Sequence, residues 1–483
     1  MARTPDEWRK HLLEKLADQA RRHQHFDRYY TGDHPLADAP AGARAEFLRL
    51  MKLARSNWCE LIVDAVAERL TVVGIRFGEE AGADLDVWRT LWQPNALDAE
   101  HGEVHTEALV GGEAAVMVWP GETADDRPVI SVEDPGQCFV ELAGGHARRR
   151  RAAIKAYSED GVDYAVVMLD RREVEADSGV VGAPAMVHKW RREPGGQWEP
   201  HADPGDPGSS FEHPLEVVSI VPFMNRSRMS RRGRSELAGG ITDINDRINE
   251  TIFGRATAAR FAAFRQRWAT GMDIPVDPET NKAVEPFNAA VDKLWLAEDA
   301  GTKFGEFGAT DLGPYIKAVE ADVQHLAAIS RTPPHYLLGQ SGAFPSGESL
   351  KSTETGLVAK VSKRALSFGE SWEEVTRLGL AAMGDARAAD DSLEVIWKDP
   401  ESKGTGELVD ALVKLGTLGV PNEALWTLYG ASPQEVARWR AQAARATLSA
   451  AAAAPRRPAL PPAAAELAET PPAEPAEPVA AAP

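Results

Sequence analysis

The chain has 483 residues, 43% of them hydrophobic and 26% charged, with a formal net charge of −19. That length allows roughly three domains with real cores, and the acidity excludes a chain that coats itself with nucleic acid, because phosphates need basic surface. Only two cysteines, Cys59 and Cys138, are present, which excludes a disulfide-rich scaffold and a four-cysteine zinc site. The first residues are charged throughout, unlike a signal peptide, and no apolar run reaches the roughly 18 residues of a membrane span. A soluble, cytosolic protein without a membrane partner is expected.

Leu12, Leu13, Leu16 and Ala20 share one face of a first helix, which the turn formers between Tyr29 and Pro35 end. A second helical stretch runs from about Ala43 to Leu70, with Asn57 as a break that would make it two helices. Residues 71–77 read as a strand, and helix returns over about 84–111, cut near Pro94. Short β-type runs follow at 114–119, 129–132, 139–142, 152–157, 164–169, 186–190 and 217–221, some separated by Pro/Gly turns. Residues 1–222 therefore read as one α+β domain.

Arg226, Arg228, Arg231, Arg232 and Arg234 are crowded together in an otherwise acidic chain. A helix is predicted directly after them, to about Phe264, with Leu237, Ile241, Ile244, Ile248 and Ile252 on one face and Asp243, Asp246, Asn249 and Glu250 on the other. The cluster reads either as a solvated loop or as a contact to phosphate or an acidic neighbour; cations leading into a helix N-terminus oppose its dipole, so local helix stability does not explain them, whereas an intermolecular partner would. A mixed segment over 265–309 separates this helix from another near 312–331, which Pro333-Pro334 ends. After a Gly/Ser/Pro loop comes a long helix, about 348–383, in which Gly356 and Gly369 mark places to kink. A strand at 393–397 and helices at about 405–416, 421–429 and 432–447 follow. The chain beyond Leu448 is mostly Ala and Pro and reads as disordered.

Several patterns approach enzyme motifs, and each lacks a defining part. Gly342–Gly347 has the glycine spacing of a phosphate loop, but Glu348 stands where lysine is needed. Gly339-Gln340-Ser341-Gly342-Ala343 lacks the last glycine of a nucleophile elbow and follows no strand. His101 and His105 are four apart on a helix beside Glu100, Glu103 and Glu107, yet do not form HExxH; a solvated charged face is the plainer reading. No catalytic residue, metal or cofactor is expected. Asp27, Tyr29, Tyr30, Gly32 and Asp33 read as a structural turn packing two tyrosines.

The order of parts resembles the portal proteins of tailed double-stranded DNA phages, of the type common in phages of actinobacteria. The matching pieces are Arg28–Leu36, Asn57-Trp58 leading into Val63–Leu70, Pro222-Phe223, Gly233–Leu237, Ser330–Gly339 and Pro345–Lys351. The resemblance covers about residues 5 to 445 and implies a helix-rich α+β chain of wing, stem, clip and crown. Carried over, it makes 1–222 the wing, 223–264 the first stem helix with its Arg-rich lead, and 265–309 the clip. It makes 310–338 the second stem helix, 339–347 the tunnel loop, 348–399 the long wing helix and strand, 400–447 the crown, and 448–483 a tail outside the family pattern.

The resemblance also implies a homo-oligomeric ring, typically dodecameric, at one capsid vertex of the virion, assembled in the host cytoplasm. Such a ring is a conduit for double-stranded DNA in packaging and ejection. It docks the terminase large subunit, then a head–tail adaptor, and contacts major capsid protein and scaffold. Gln340, Ser341 and Lys351 become DNA-facing residues of the tunnel loop, with Gly339, Gly342 and Gly347 as hinges. Asp243, Asp246 and Glu250 become channel-lining residues whose charge lets DNA slide without sticking. The five arginines become contacts to a neighbouring subunit or the capsid. Two other readings compete: a metal- or nucleotide-dependent phage-head enzyme, and a non-catalytic scaffold.

Overall fold

The computed structural model describes residues 3–35, 45–78, 83–121, 127–144, 146–228, 232–263, 267–271, 301–306, 308, 311–337, 347–401 and 405–453. It divides into two compact units, residues 1–436 and 437–483. Helix α1 (Pro5–Tyr30) starts from a capping box in which Thr4 and Glu7 satisfy each other's backbone N–H groups. Helices α2 (Ala45–Ala54) and α3 (Cys59–Ala67) are separated at Asn57, whose side chain accepts the Cys59 N–H at 3.1 Å and donates to the Tyr30 carbonyl at 2.7 Å. Strand β1 (Val72–Arg76), the single turn α4 (Leu85–Val87) and a π-helical turn over Trp88–Trp92 lead to α5 (Leu97–Gly111).

Two antiparallel sheets follow. β2 (Glu113–Trp119) lies between β3 (Val129–Glu133) and β10 (Ile220–Met224). The larger sheet runs in the order β4 (Cys138–Ala143), β5 (His146–Glu159), β6 (Val162–Leu169), β7 (Met186–Arg192), β8 (Glu199–Pro200). Strand β9 (Ser210–Glu212) also pairs with β7, and α6 (Arg171–Ser178) connects β6 to β7. Trp8, Leu12 and Leu16 of α1 pack on the large sheet through Ile154, Val167 and Trp190. Helix α6 and strands β8 and β9 carry no long apolar pattern, and periodicity did not reveal them. Strand β10 lies a few residues beyond the expected 217–221.

Helix α7 (Ile241–Ala263) begins later than its apolar period suggested, because Gly239 and Gly240 adopt φ of +94° and +91° and hold 236–240 as turns. The arginines therefore do not lead straight into a helix N-terminus. β11 (Arg267–Thr270) and β12 (Lys303–Glu306) form a hairpin ahead of α8 (Gly313–Ser330). Arg247 meets Asp322 and Gly254 faces Tyr315, so α7 and α8 run antiparallel. One turn, α9 (Pro334–Leu337), precedes α10 (Gly347–Ala382), a helix of 36 residues, or about 54 Å at 1.5 Å per residue. It runs unbroken through Gly356 and Gly369. A Cβ on Gly369 would come 3.3 Å from the Trp397 indole nitrogen, so this glycine serves packing rather than bending.

β13 (Glu394–Trp397) pairs antiparallel with β1, joining the start of the chain to residues beyond α10. α11 (Thr405–Thr417) and α12 (Asn422–Tyr429) follow, and α13 (Pro433–Ala453) starts from a second capping box, Ser432 with Glu435. Residues 448–453 are helical rather than part of a disordered tail; 454–483 lie outside the described residues.

The core of the first unit closes around α10. Leu357, Val361, Phe368, Trp372 and Val375 are at most 1% exposed. His105 stacks on Phe368, accepts the Trp372 indole N–H on Nε2 at 2.8 Å, and donates from Nδ1 to the Leu70 carbonyl at 3.1 Å. Burial holds its pKa down to about 3, and burial likewise holds His213 down to about 4.

A buried ion cluster sits beside this core. The Glu236 carboxylate accepts from Arg364 at 2.6 Å and Asn225 at 3.0 Å, and meets Lys360 Nζ at 2.9 Å. Lys360 also donates to the Ser330 carbonyl at 3.0 Å, at the end of α8, and the Glu236 N–H reaches the Leu109 carbonyl of α5 at 2.8 Å. Burial alone would raise the Glu236 carboxyl, but Lys360 and Arg364 outweigh it and hold it at about 2. Its pKa is thus depressed on folding, so its contribution is full above about pH 4.3 and is lost only as pH falls toward 2.

Two outcomes follow from this packing. Glu236→Gln leaves two buried cations without their counter-charge and should destabilise the chain by about 3–5 kcal/mol, read as a lowered denaturation midpoint at pH 7. The histidines act in the same direction at higher pH. Unfolded imidazole titrates near pH 6.5, so the unfolded state takes up protons first and stability falls as pH drops from about 6.5 toward 4. Denaturation midpoints at pH 7.5 and 5.5 should differ accordingly, and His213→Asn should flatten the dependence.

Candidate functional site

Helix α7 carries the sequence-predicted acidic face, and the structure divides it. Asp243 and Glu250 are exposed and seven residues apart, hence on one stripe of α7. Asp246 is turned to the side: it accepts the Tyr29 hydroxyl at 2.7 Å in a half-buried position. Burial and Asp246 together push the Tyr29 phenol well above its usual pKa. Asn249 and Asn245 face the same way, toward the buried imidazole of His34, which stacks on Tyr29 with 5.1 Å between ring centroids. Tyr30 donates to Asp64 at 3.0 Å, so both tyrosines do pack a structural turn. Between Asp243 and Glu250 lies Arg247, bound to Asp322 of α8 through two hydrogen bonds of 2.7 and 3.1 Å.

The arginines also separate. Arg232 is held within its own chain: its Nε donates to Glu113 at 2.8 Å, its Nη1 to the Val140 carbonyl at 2.8 Å, and its guanidinium lies 4.2 Å over the Phe139 ring. It anchors β2 to β4, so within one chain its guanidinium already has partners, which the sequence reading had sought in a neighbour. Arg226, Arg228 and Arg234 are exposed. The segment is pinched shut by Asn225, whose carbonyl accepts the Arg234 N–H at 2.7 Å and whose amide donates to the Arg234 carbonyl at 2.9 Å. Arg231 lies outside the described residues.

Of the loop residues, Gly339, Gln340, Ser341 and Gly342 also lie outside them, and Gly347 is the first residue of α10. Lys351 forms an ion pair with Glu407 of α11. The loop is bracketed by a polar link: Arg69 donates to the Tyr336 hydroxyl at 2.6 Å, which donates to Glu354 of α10 at 2.8 Å.

His101 and His105 do not make a metal site. Both are buried rather than on a solvated face, and His105 has both ring nitrogens engaged in the core. Among the described residues no group of three His, Cys, Asp or Glu side chains converges as a metal site, and no helix is long and apolar enough to cross a membrane. Cys59 and Cys138 are free and buried, and burial pushes the Cys59 thiol up to about 12, which leaves it unreactive at neutral pH.

Sequence reasoning passed over Glu236, Lys360, Arg364 and Arg331. A signal was present: Lys360 and Arg364 are spaced i, i+4 beside the apolar stripe of α10, where cations need a buried partner.

The profile of the family described as phage portal protein, SPP1 Gp6-like, matches residues 9–447. The portal proteins of Mycobacterium phages D29 and L5 are each 29% identical over 405 residues, which cover 80% of this chain and 79% of theirs. Among solved structures, a chain from the neck of a native gene transfer agent particle computed with C12 symmetry is 12% identical with a TM-score of 0.44, covering 82% of this chain and 96% of that one. One from the neck of the empty particle, computed with C6 symmetry, is 13% identical with a TM-score of 0.41 and the same coverage. Over residues 9–447, from α1 through the paired helices α7 and α8 and the long α10, the chain belongs to the SPP1 Gp6-like family of phage portal proteins.

Proposed function

We propose that the chain assembles as a ring, a dodecamer in the virion, at one capsid vertex, and forms the conduit through which double-stranded DNA enters and leaves. In this reading 1–222 is the wing, α7 and α8 are the stem, 265–309 is the clip, α10 crosses the wing and 400–447 is the crown. The ring docks the terminase large subunit during packaging and a head–tail adaptor afterwards, and contacts major capsid protein and scaffold. It performs no catalysis.

The observation that carries the reading is the antiparallel pair α7–α8 with an inserted hairpin at its far end and free carboxylates, Asp243 and Glu250, along one stripe. A carboxylate wall repels phosphate and suppresses the counterion release that would hold DNA in place. Asp246 does not join that wall in this reading, because it faces Tyr29. Arg247, which would attract DNA, is matched by Asp322. The tunnel loop fits the same logic: Gln340 and Ser341 are neutral, and Lys351 has its charge met by Glu407. Glycines 339, 342 and 347 would let that loop follow a moving duplex.

Light scattering with negative-stain imaging of the full chain tests this. The expected particle is a closed ring of about a dozen copies around a hole wider than the roughly 20 Å duplex. A chain that stays monomeric or dimeric, alone and with scaffold protein present, would remove the conduit.

A further inference from the structure

Beside the Glu236 cluster the described residues gather more positive charge than they neutralise. Lys360 and Arg364 already bind the one carboxylate. Arg226 adds a third cation, 4.0 Å from the same carboxylate, with its guanidinium 3.4 Å from the Ser235 carbonyl. Arg234 is brought alongside by its two backbone links to Asn225. Arg331 caps α8 next to Ser330, whose carbonyl binds Lys360. Arg226, Arg234 and Arg331 are all exposed. Burial lowers the Arg226 pKa, and Arg234, Arg364 and Arg331 press it in the same direction.

The backbone points the same way. Five described non-glycine residues have positive φ, and two of them are Arg226 at +52° and Arg331 at +57°. Glycine or asparagine fits such positions with less strain. Arginine at two of them, in one cluster, is consistent with head groups kept for a ligand.

We infer that Arg226, Arg234 and Arg331 form an oxyanion site that receives carboxylates from a second copy of this chain. The inference rests on the ring reading for its partner, though not for its chemistry. A protein partner is favoured by charge complementarity. A copy with net charge −19 carries, on its own surface, a groove of about 1100 Å³ whose lining includes the carboxylates Asp27, Glu100, Glu103 and Asp134, beside Arg21 and a Glu107 already bound to His23. A cationic patch and a different acidic patch on one chain make a head-to-tail contact, the kind that closes into rings. Bidentate guanidinium–carboxylate pairing supplies the geometry.

The test uses the full chain and two variants. Arg226→Asn/Arg234→Gln removes two head groups, and Arg331→Asn removes the third while keeping a residue that tolerates the left-handed backbone. In the first arm, citrate is compared with sodium chloride at equal ionic strength by thermal denaturation. Citrate should raise the wild-type midpoint beyond the chloride control, and the shift should shrink in both variants. Equal shifts in all three proteins would overturn the site. In the second arm, ring fraction is counted by mass photometry. The double variant should lose rings by at least about tenfold, with Arg226→Lys/Arg234→Lys recovering part. Variants that ring normally but retain less DNA would assign the site to phosphate instead and overturn the inter-copy reading. A wild type that forms no rings counts against the proposed function, and the citrate arm then decides this site alone.

Discussion

A carboxylate that is only 2% exposed needs cations to stay ionised, and Glu236 draws them from far along the chain. Its own N–H is fixed to α5, its oxygens to Lys360 and Arg364 of α10, and through Lys360 to the last turn of α8. The segment it sits in opens into α7. The roots of both paired helices are thereby tied to the long helix by charge, where apolar packing alone would permit sliding. Directional bonds to one carboxylate fix a register.

The electrostatics of the first unit follow a consistent plan. Cations near the paired helices are mostly matched within the chain: Arg247 by Asp322, Lys351 by Glu407, Arg232 by Glu113. Exposed carboxylates such as Asp243 and Glu250 are left facing out. Among the described residues Arg226, Arg234 and Arg331 gather beside a single carboxylate, and a cationic patch in an acidic chain is where a partner is to be sought. The buried histidines play no part in this chemistry; His105 is a polar rivet between α5, α10 and the end of α3's connection to β1.

Much of this was legible in the sequence because long amphipathic helices announce themselves. The stripe of Leu357, Val361, Phe368, Trp372 and Val375 gave α10, and Ile241, Ile244 and Ile248 gave α7. The break at Asn57 was readable from its side-chain chemistry. What periodicity could not give were contacts between distant residues. Asp246 lies on the polar side of α7 by spacing, yet Tyr29, more than two hundred residues earlier, turns it inward. Arg232 looked free because its partner, Glu113, belongs to another strand. His101 and His105 looked solvated because the carboxylates beside them are, while the rings point the other way into the core.

In the proposed ring the Asp243–Glu250 stripe of α7 faces passing DNA. A density map of the assembled ring with duplex inside measures this directly. The account predicts both carboxylates on the inner wall, with Asp246 still on Tyr29. A map with that stripe packed against a neighbouring subunit, or turned to the outside, would contradict it.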